Sequence, residues 1–248
     1  LRCTQDYVFK MIPAMKSARE IHCNGYPIFA AAAAYNARRL LYLDSRMSSE
    51  MVIPAETLRD RLAVRRQRPV RLIYSGRYER MKGALDAVKA AAICRQRGLE
   101  FEMDCYGQGG LASEMRAVAA AAGPSIRVHD AIPFPELVRR THDADLFICC
   151  HIQSDPSCTY LESMGAGLPI AGYSNRMWAA MAEASNAGVV TAHNSPAAMA
   201  DEIERLIARP DDLDQMSCRA RDFATRHTFE MEFQRRTDAI NAALEEGR

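Results

Sequence analysis

Several things are scarce in this sequence, and each shortage excludes something. Net charge is nearly nil, with 32 Lys and Arg against 31 Asp and Glu and a formal charge of +1. Nothing in that balance draws the whole chain to nucleic acid, so any anion site must be local. No stretch reaches the roughly 18 apolar residues of a membrane span; the longest candidate, around YPIFAAAAAYNARR, is short and bounded by charge. The N-terminus has no basic region followed by an apolar core and a small-residue cleavage site, so no secretory leader is read there. It opens on Leu1 rather than Met, which reads as a trimmed or processed product. The cysteines (Cys3, Cys23, Cys94, Cys105, Cys149, Cys150, Cys158 and Cys218) include no C-x2-C pair, and several lie in apolar runs such as LFICC. Their expected state is reduced and buried, in a cytoplasmic protein. A P-loop, G-x-S-x-G and H-E-x-x-H are all absent.

What is present is a strongly folded pattern, 48% hydrophobic. The first 66 residues are irregular: weak helical periodicity over 5–18, a strand in REIHCN, a helix in YPIFAAAAAYNAR, a strand in RLLYLD, and a short basic helix or linker over 56–66. After Pro69 the signal sharpens. VRLIYSG, LEFEMDCYG, SIRVHD, DLFICC, PIAGY and AGVVTA read as strands. Helical stretches separate them, and Ser195 and Pro196 are placed to open one. Two more helices are expected over 211–225 and 230–246. Strand and helix in alternation predict an α/β fold, a Rossmann-like parallel sheet with helices on both faces.

Ligands of such sheets bind at the carboxyl ends of the strands. Four ends stand out: Gly76 to Gly83, Gly107 to Gly110, Asp130 to Pro133, and His151 to Thr159. The first carries Arg77 and Lys82, a forked cation and a point cation suited to a diphosphate. In the second, Gly107, Gly109 and Gly110 permit tight turning and close backbone approach. The dinucleotide fingerprint fails there, because Leu111 follows G-x-G-G; a mononucleotide fits better, and a generous turn is the plainer alternative. The fourth end, HIQSDPSCTYLESMGAGLP, offers Ser154, Asp155, Ser157 and Thr159, then Glu162 at a helix start. A carboxylate there can accept two hydrogen bonds from a vicinal diol, or simply cap the helix. Cys149, Cys150, His151 and Cys158 do not read as a metal site, since neighbours on a strand point to opposite faces. His129 and His142 have no evident partner, and Met177, Trp178 and Met181 are spaced as a helix packing face.

At these residues the chain resembles the group 1 retaining glycosyltransferases of the GT-B fold. SGRYERMKG is similar to the family's Gly-Arg-four-residues-Lys-Gly segment, here Gly76, Arg77, Lys82 and Gly83. DCYGQGG, with Gly107 and Gly109, resembles the turn facing the donor. RVHDAI resembles the loop beside the nucleobase, at Asp130, Ala131 and Ile132, with Asp130 standing where the family has glycine. YLESMGAGLPIAG is the nearest match and makes Glu162 the counterpart of the ribose-binding glutamate. The family's second glutamate, eight positions earlier, is here Ser154, with Asp155 beside it.

The resemblance covers residues 67–245 well and 20–55 faintly. It implies a tail of the GT-B N-terminal domain plus linker over 1–66, a nucleotide-sugar-binding domain over 67–225, and a C-terminal helix over 226–248 crossing back. A full member carries roughly 120 to 150 further residues holding the acceptor site. The implied reaction moves a sugar from a nucleoside diphosphate sugar to a glycan or lipid-linked acceptor, with retention. Arg77 and Lys82 would stabilise the leaving diphosphate, so that neither metal nor cofactor is required. The loop of Ser154, Asp155, Pro156, Ser157, Cys158 and Thr159 would face the donor sugar. The implied partners are the donor, the acceptor and the rest of the first domain, with a cytoplasmic location at the inner face of a membrane and no nucleic acid. An inactive nucleotide- or sugar-binding module and a GT-B epimerase remain open alternatives.

Overall fold

The computed structural model describes residues 7–246. Cys3, Gln5 and Asp6 fall outside them, so the start of the expected first helix is not described. The main body is a six-stranded sheet of β3 (Val70–Ser75), β4 (Phe101–Tyr106), β5 (Ile126–His129), β6 (Leu146–Cys149), β7 (Ile170–Tyr173) and β8 (Gly188–Thr191). Its order is β5-β4-β3-β6-β7-β8, and every pairing is parallel. Counted from its own first strand, that is the 3-2-1-4-5-6 order of the doubly wound fold, with the reversal between β3 and β6. A separate two-stranded parallel sheet pairs β1 (Ile21–Asn24) with β2 (Arg39–Tyr42).

Apolar residues lie on both faces of the large sheet. Leu72, Tyr74, Met103, Cys105, Ile148 and Cys150 belong to one core. Ile73, Tyr106, Phe147, Cys149 and Ile170 belong to the other. Cys149 and Cys150 thus part to opposite faces, as strand alternation requires. The helices are α1 (Ile12–Ser17), α2 (Tyr26–Ala32), α3 (Ala55–Arg65), α4 (Ala84–Gln96), α5 (Ala112–Ala122), α6 (Phe134–His142), α7 (Thr159–Gly165), α8 (Arg176–Ser185), α9 (Pro196–Ile207), α10 (Pro210–Thr225) and α11 (Phe229–Glu245). Helices α4, α5 and α9 cover the first core, and α7, α8 and α10 cover the second. Ser195 caps α9 by accepting from the Ala198 N–H. Met177, Trp178 and Met181 are buried, as their spacing predicts. Among the described residues no helix is long and apolar enough to cross a membrane.

Helix α3 is riveted to the body. Buried Arg61 donates to the carbonyls of Ala166 (2.8 Å), Gly167 (2.7 Å) and His142 (3.0 Å). These three acceptors hold a guanidinium that burial works to discharge, pushing it down to about 10. At the base of β3, Arg68 forks onto both oxygens of buried Asp145 (2.6 and 3.1 Å), which also accepts from the Arg71 N–H.

One contact sets the crevice at the strand reversal. Gly83 adopts φ +58°, and a Cβ added there would stand 1.9 Å from the Cys150 carbonyl oxygen. Gly83→Ala must therefore both strain the backbone and prise the β3 loop from β6. We expect a loss of about 2–4 kcal/mol in folding stability, read by urea denaturation.

Candidate functional site

All four polar strand ends lie on adjacent strands, at one edge of the sheet. Arg77 and Lys82 follow β3, and the segment closes through a 3-10 turn, Arg80–Lys82, before α4. The loop after β6 is tied to it by the Ile152 N–H donating to the Met81 carbonyl, 3.0 Å. Gly107, after β4, sits so close that a Cβ would lie 1.9 Å from the Gly76 carbonyl oxygen. Between these loops lies Tyr78, buried, its hydroxyl 2.8 Å from the Cys105 carbonyl and 2.6 Å from that of His129. The tyrosine thereby braces the ends of β4 and β5 against the β3 loop.

The two cations differ more than a sequence shows. Arg77 is exposed and pairs with Glu79 at 3.2 Å. Lys82 is buried, and its ammonium donates to Asp155 Oδ2 at 3.0 Å. Burial acts to raise the Asp155 carboxyl, but the Lys82 charge and the nearby Gln153 and His151 outweigh it and hold the group below its ordinary range. Its other oxygen, Oδ1, is buried with no hydrogen-bond partner. Beside it His151 is also buried, with Nδ1 unpartnered. Burial pushes that imidazole down to about 4, helped by Lys82, so His151 is neutral at pH 7.

Ser154 has a different employment. Its hydroxyl accepts from the Arg176 N–H at 3.0 Å, at the start of α8. Ser157 donates to the Thr159 hydroxyl at 3.2 Å. Pro156 and Cys158 are half-buried in the same loop. Glu162 lies in the first turn of α7, 13% exposed at the side chain, and Arg46 meets it at 2.8 Å. Burial raises the Glu162 carboxyl, and Arg46 works against that rise. On the third strand end, Asp130 is exposed and paired with Arg116 at 2.6 Å, Ala131 is exposed, and Ile132 packs on the second core.

Sequence reasoning missed Arg46 as a member of this region, and it gave no role to Tyr78 or His151, which lie within two of the strand ends it singled out. It also left His129 without a partner. The structure places His129 Nε2 2.6 Å from Asp104 and stacks its ring on Tyr106 with centroids 4.8 Å apart. Asp104 lies on the neighbouring strand, a cross-strand relation that no local spacing reveals.

Strand order and crevice define a Rossmann-like α/β domain of the GT-B type. The model of the family described as "Glycosyl transferases group 1" matches residues 56–223, and the chain belongs to that family. Among curated proteins, none matches the sequence. Solved structures do resemble it. HepE from Anabaena, in complex with UDP and glucose, superposes with a TM-score of 0.73 at 13% identity over 96% of this chain and 67% of its own. Sucrose-phosphate synthase from Thermosynechococcus elongatus gives 0.72 at 15% identity, over 96% of this chain and 61% of that one. The pneumococcal O-GlcNAc transferase GtfA, with UDP and GlcNAc, gives 0.68 at 16% identity, over 96% and 47%. At such identities the likeness shows the fold, and this chain spans 61% of the length of the sucrose-phosphate synthase.

The Lys82–Asp155 pair yields a direct test. In the intact protein the Asp155 carboxyl should titrate below its ordinary range. Replacing Lys82 with Met removes the largest influence opposing burial, so the same carboxyl should titrate at a higher pH than in the intact protein. Carboxyl-detected NMR titration of both forms measures the difference, and no upward shift in Lys82→Met would overturn the pairing.

Proposed function

We propose that this chain is the donor-binding part of a longer enzyme, with residues 67–225 as the nucleotide-sugar-binding domain. It transfers a glycosyl group from a nucleoside diphosphate sugar to a glycan or lipid-linked acceptor with retention of configuration. Residues 1–66 and 226–248 belong, in this proposal, to the connection with a preceding domain that binds the acceptor. The carrying observation is the buried Lys82 ammonium at the strand reversal, paired with Oδ2 of the Asp155 carboxylate, whose other oxygen, Oδ1, has no partner.

The proposed chemistry places the charge where it develops. The bond from the anomeric carbon to the diphosphate breaks, and its electron pair stays on the diphosphate. The acceptor oxygen bonds to the same face of that carbon, and its proton passes to the departing phosphate. Lys82 and Arg77 stabilise the diphosphate as it leaves, a role that preorganised cations in a low-dielectric crevice fill well. Glu162 accepts from the ribose hydroxyls, and Gly76, Gly107 and Gly109 let backbone approach the phosphates. Asp130, Ala131 and Ile132 flank the base. Asp155 is the sugar-facing carboxylate, because its Oδ1 lacks a partner while the Ser154 hydroxyl is already spent on α8.

A second function class rests on one observation. The position where the family has its second glutamate is Ser154, and its hydroxyl serves structure, which favours a binding module without turnover. Transfer assays of the full-length protein against a panel of donors separate the two, since a module binds donors and turns none over.

Two expected outcomes follow for the proposed enzyme. Lys82→Ala and Arg77→Ala should each weaken binding of a nucleoside diphosphate roughly tenfold or more in calorimetry. Equal affinity in both variants would remove the phosphate assignment. Asp155→Asn should lower turnover more than donor affinity, because a sugar contact that strengthens in the transition state shows mainly in kcat. A large turnover loss in Ser154→Ala with none in Asp155→Asn would hand the role to the serine.

A further inference from the structure

Glu162 is not a lone carboxylate at the crevice. The segment preceding α3 reaches over α7, and both of its flanks are fixed. Leu43 and Met47 are buried in the second core. The Leu43 N–H donates to Glu232 Oε2 at 3.2 Å, and the Met47 carbonyl accepts from the Phe229 N–H at 2.8 Å. Met47 also fills the space that a side chain on Gly165 would need, its sulfur standing 1.9 Å from a Cβ built there. Between these anchors Arg46 projects outward with its side chain 63% exposed.

The Arg46 guanidinium makes two contacts that cross the crevice. Nε donates to Glu162 Oε1 at 3.0 Å, and Nη2 forms an ion pair with the same oxygen at 2.8 Å. The same group lies over the Phe134 ring, 4.4 Å from its centroid. Phe134 opens α6, directly after the loop of Asp130 to Pro133. One side chain therefore links the loop proposed to flank the base with the carboxylate proposed to hold the ribose. None of the described hydrogen bonds ends on Glu162 Oε2.

We propose that Arg46 is a positioning residue for nucleoside recognition, holding Glu162 by Oε1 so that Oε2 stays charged and open to a ribose hydroxyl. This rests on the proposed nucleotide site. A carboxylate that is nearly buried and unpaired tends to take up a proton, and a protonated carboxyl is a poorer acceptor for a diol. An arginine held over an aromatic ring keeps its fork in place at small entropic cost. Burial already raises the Glu162 carboxyl, and Arg46 is the charge that opposes it. Cys158 is a further ionisable group coupled to Glu162, and Asp44 acts on Cys158. The Cys158 thiol is itself pushed up, by burial first and then by the charges of Glu162 and Asp44.

The sign for Arg46→Met follows. Without the guanidinium the folded-state carboxyl rises further, so on acidification Glu162 loses its charge at a higher pH than in the native chain. The variant keeps an unbranched apolar stem to cover Phe134. The probes are uridine diphosphate and its 2′-deoxy analogue, titrated calorimetrically into the 248-residue chain between pH 5.5 and 8.5. The native chain should favour the ribonucleotide at every pH. In Arg46→Met that preference should fall roughly tenfold at the acid end and recover as pH rises. Arg46→Lys should lie between, because it restores the charge without the fork.

The other outcomes are equally decisive. An Arg46→Met preference that is unchanged and flat with pH overturns the role of Arg46 while leaving Glu162 as the ribose ligand. Equal, pH-independent weakening toward both nucleotides also overturns it, since that marks a merely structural side chain. A native chain that shows no ribose preference, matched by Glu162→Gln, removes the ribose assignment itself and the inference with it.

Discussion

The approach of the β3 loop to the end of β6 governs everything else at the site. In a doubly wound sheet the chain leaves these two strands in opposite directions, which opens a gap between their carboxyl ends. Here Gly83 and the Cys150 carbonyl close the base of that gap, and the Met81 carbonyl is tied to Ile152 above it. With the loop pinned, the Lys82 side chain lies buried between the two strand ends and meets Asp155 there. A cation so placed is screened less by water than any surface lysine, and its reach is electrostatic rather than mechanical.

The crevice is also balanced within itself. Lys82 has Asp155, Arg46 has Glu162, and Arg77 has Glu79. Each cation aligned with the proposed donor path carries its own carboxylate, which fits a chain whose formal net charge is only +1. In the proposed function an incoming diphosphate would compete with carboxylates already in place. The balance spares the protein an uncompensated buried charge, which is far more damaging to stability. The unpartnered Nδ1 of His151 and Oδ1 of Asp155 show where this internal pairing stops short.

The sheet was legible from the sequence because its strands are short apolar runs ended by glycine or polar residues. VRLIYS and LFIC could hardly be anything else between helical stretches, and the structure gives β3 as Val70–Ser75 and β6 as Leu146–Cys149. Local signals such as the Ser195 cap and the helical spacing of Trp178 were equally readable. The partnerships were not. Lys82 and Asp155 are 73 residues apart, and Arg46 and Glu162 are 116 apart. Neither separation follows from a period of 2 or 3.6, because each depends on how two loops are stacked by the sheet. Arg46 lies in a stretch to which the sequence assigns neither helix nor strand, and nothing in the sequence marks Lys82, read as a point cation for a diphosphate, as buried.

The rivet at Arg61 has a mechanical consequence. Three carbonyls from the ends of α6 and α7 grip one side chain of α3, and the Ile53 N–H, just ahead of that helix, donates to the Gly165 carbonyl. Arg221 on α10 completes the clasp by donating to the Ile53 carbonyl at 2.8 Å. Helix α3 therefore cannot act as a hinge, although its sequence reads as a linker. The polypeptide from Ile53 through α3 is held to the large sheet. A pivot that swings the smaller sheet relative to the larger one has to work through the chain before Ile53, where Arg46 itself is mounted, and through α11, which packs on β2, so such a motion would be felt at Glu162.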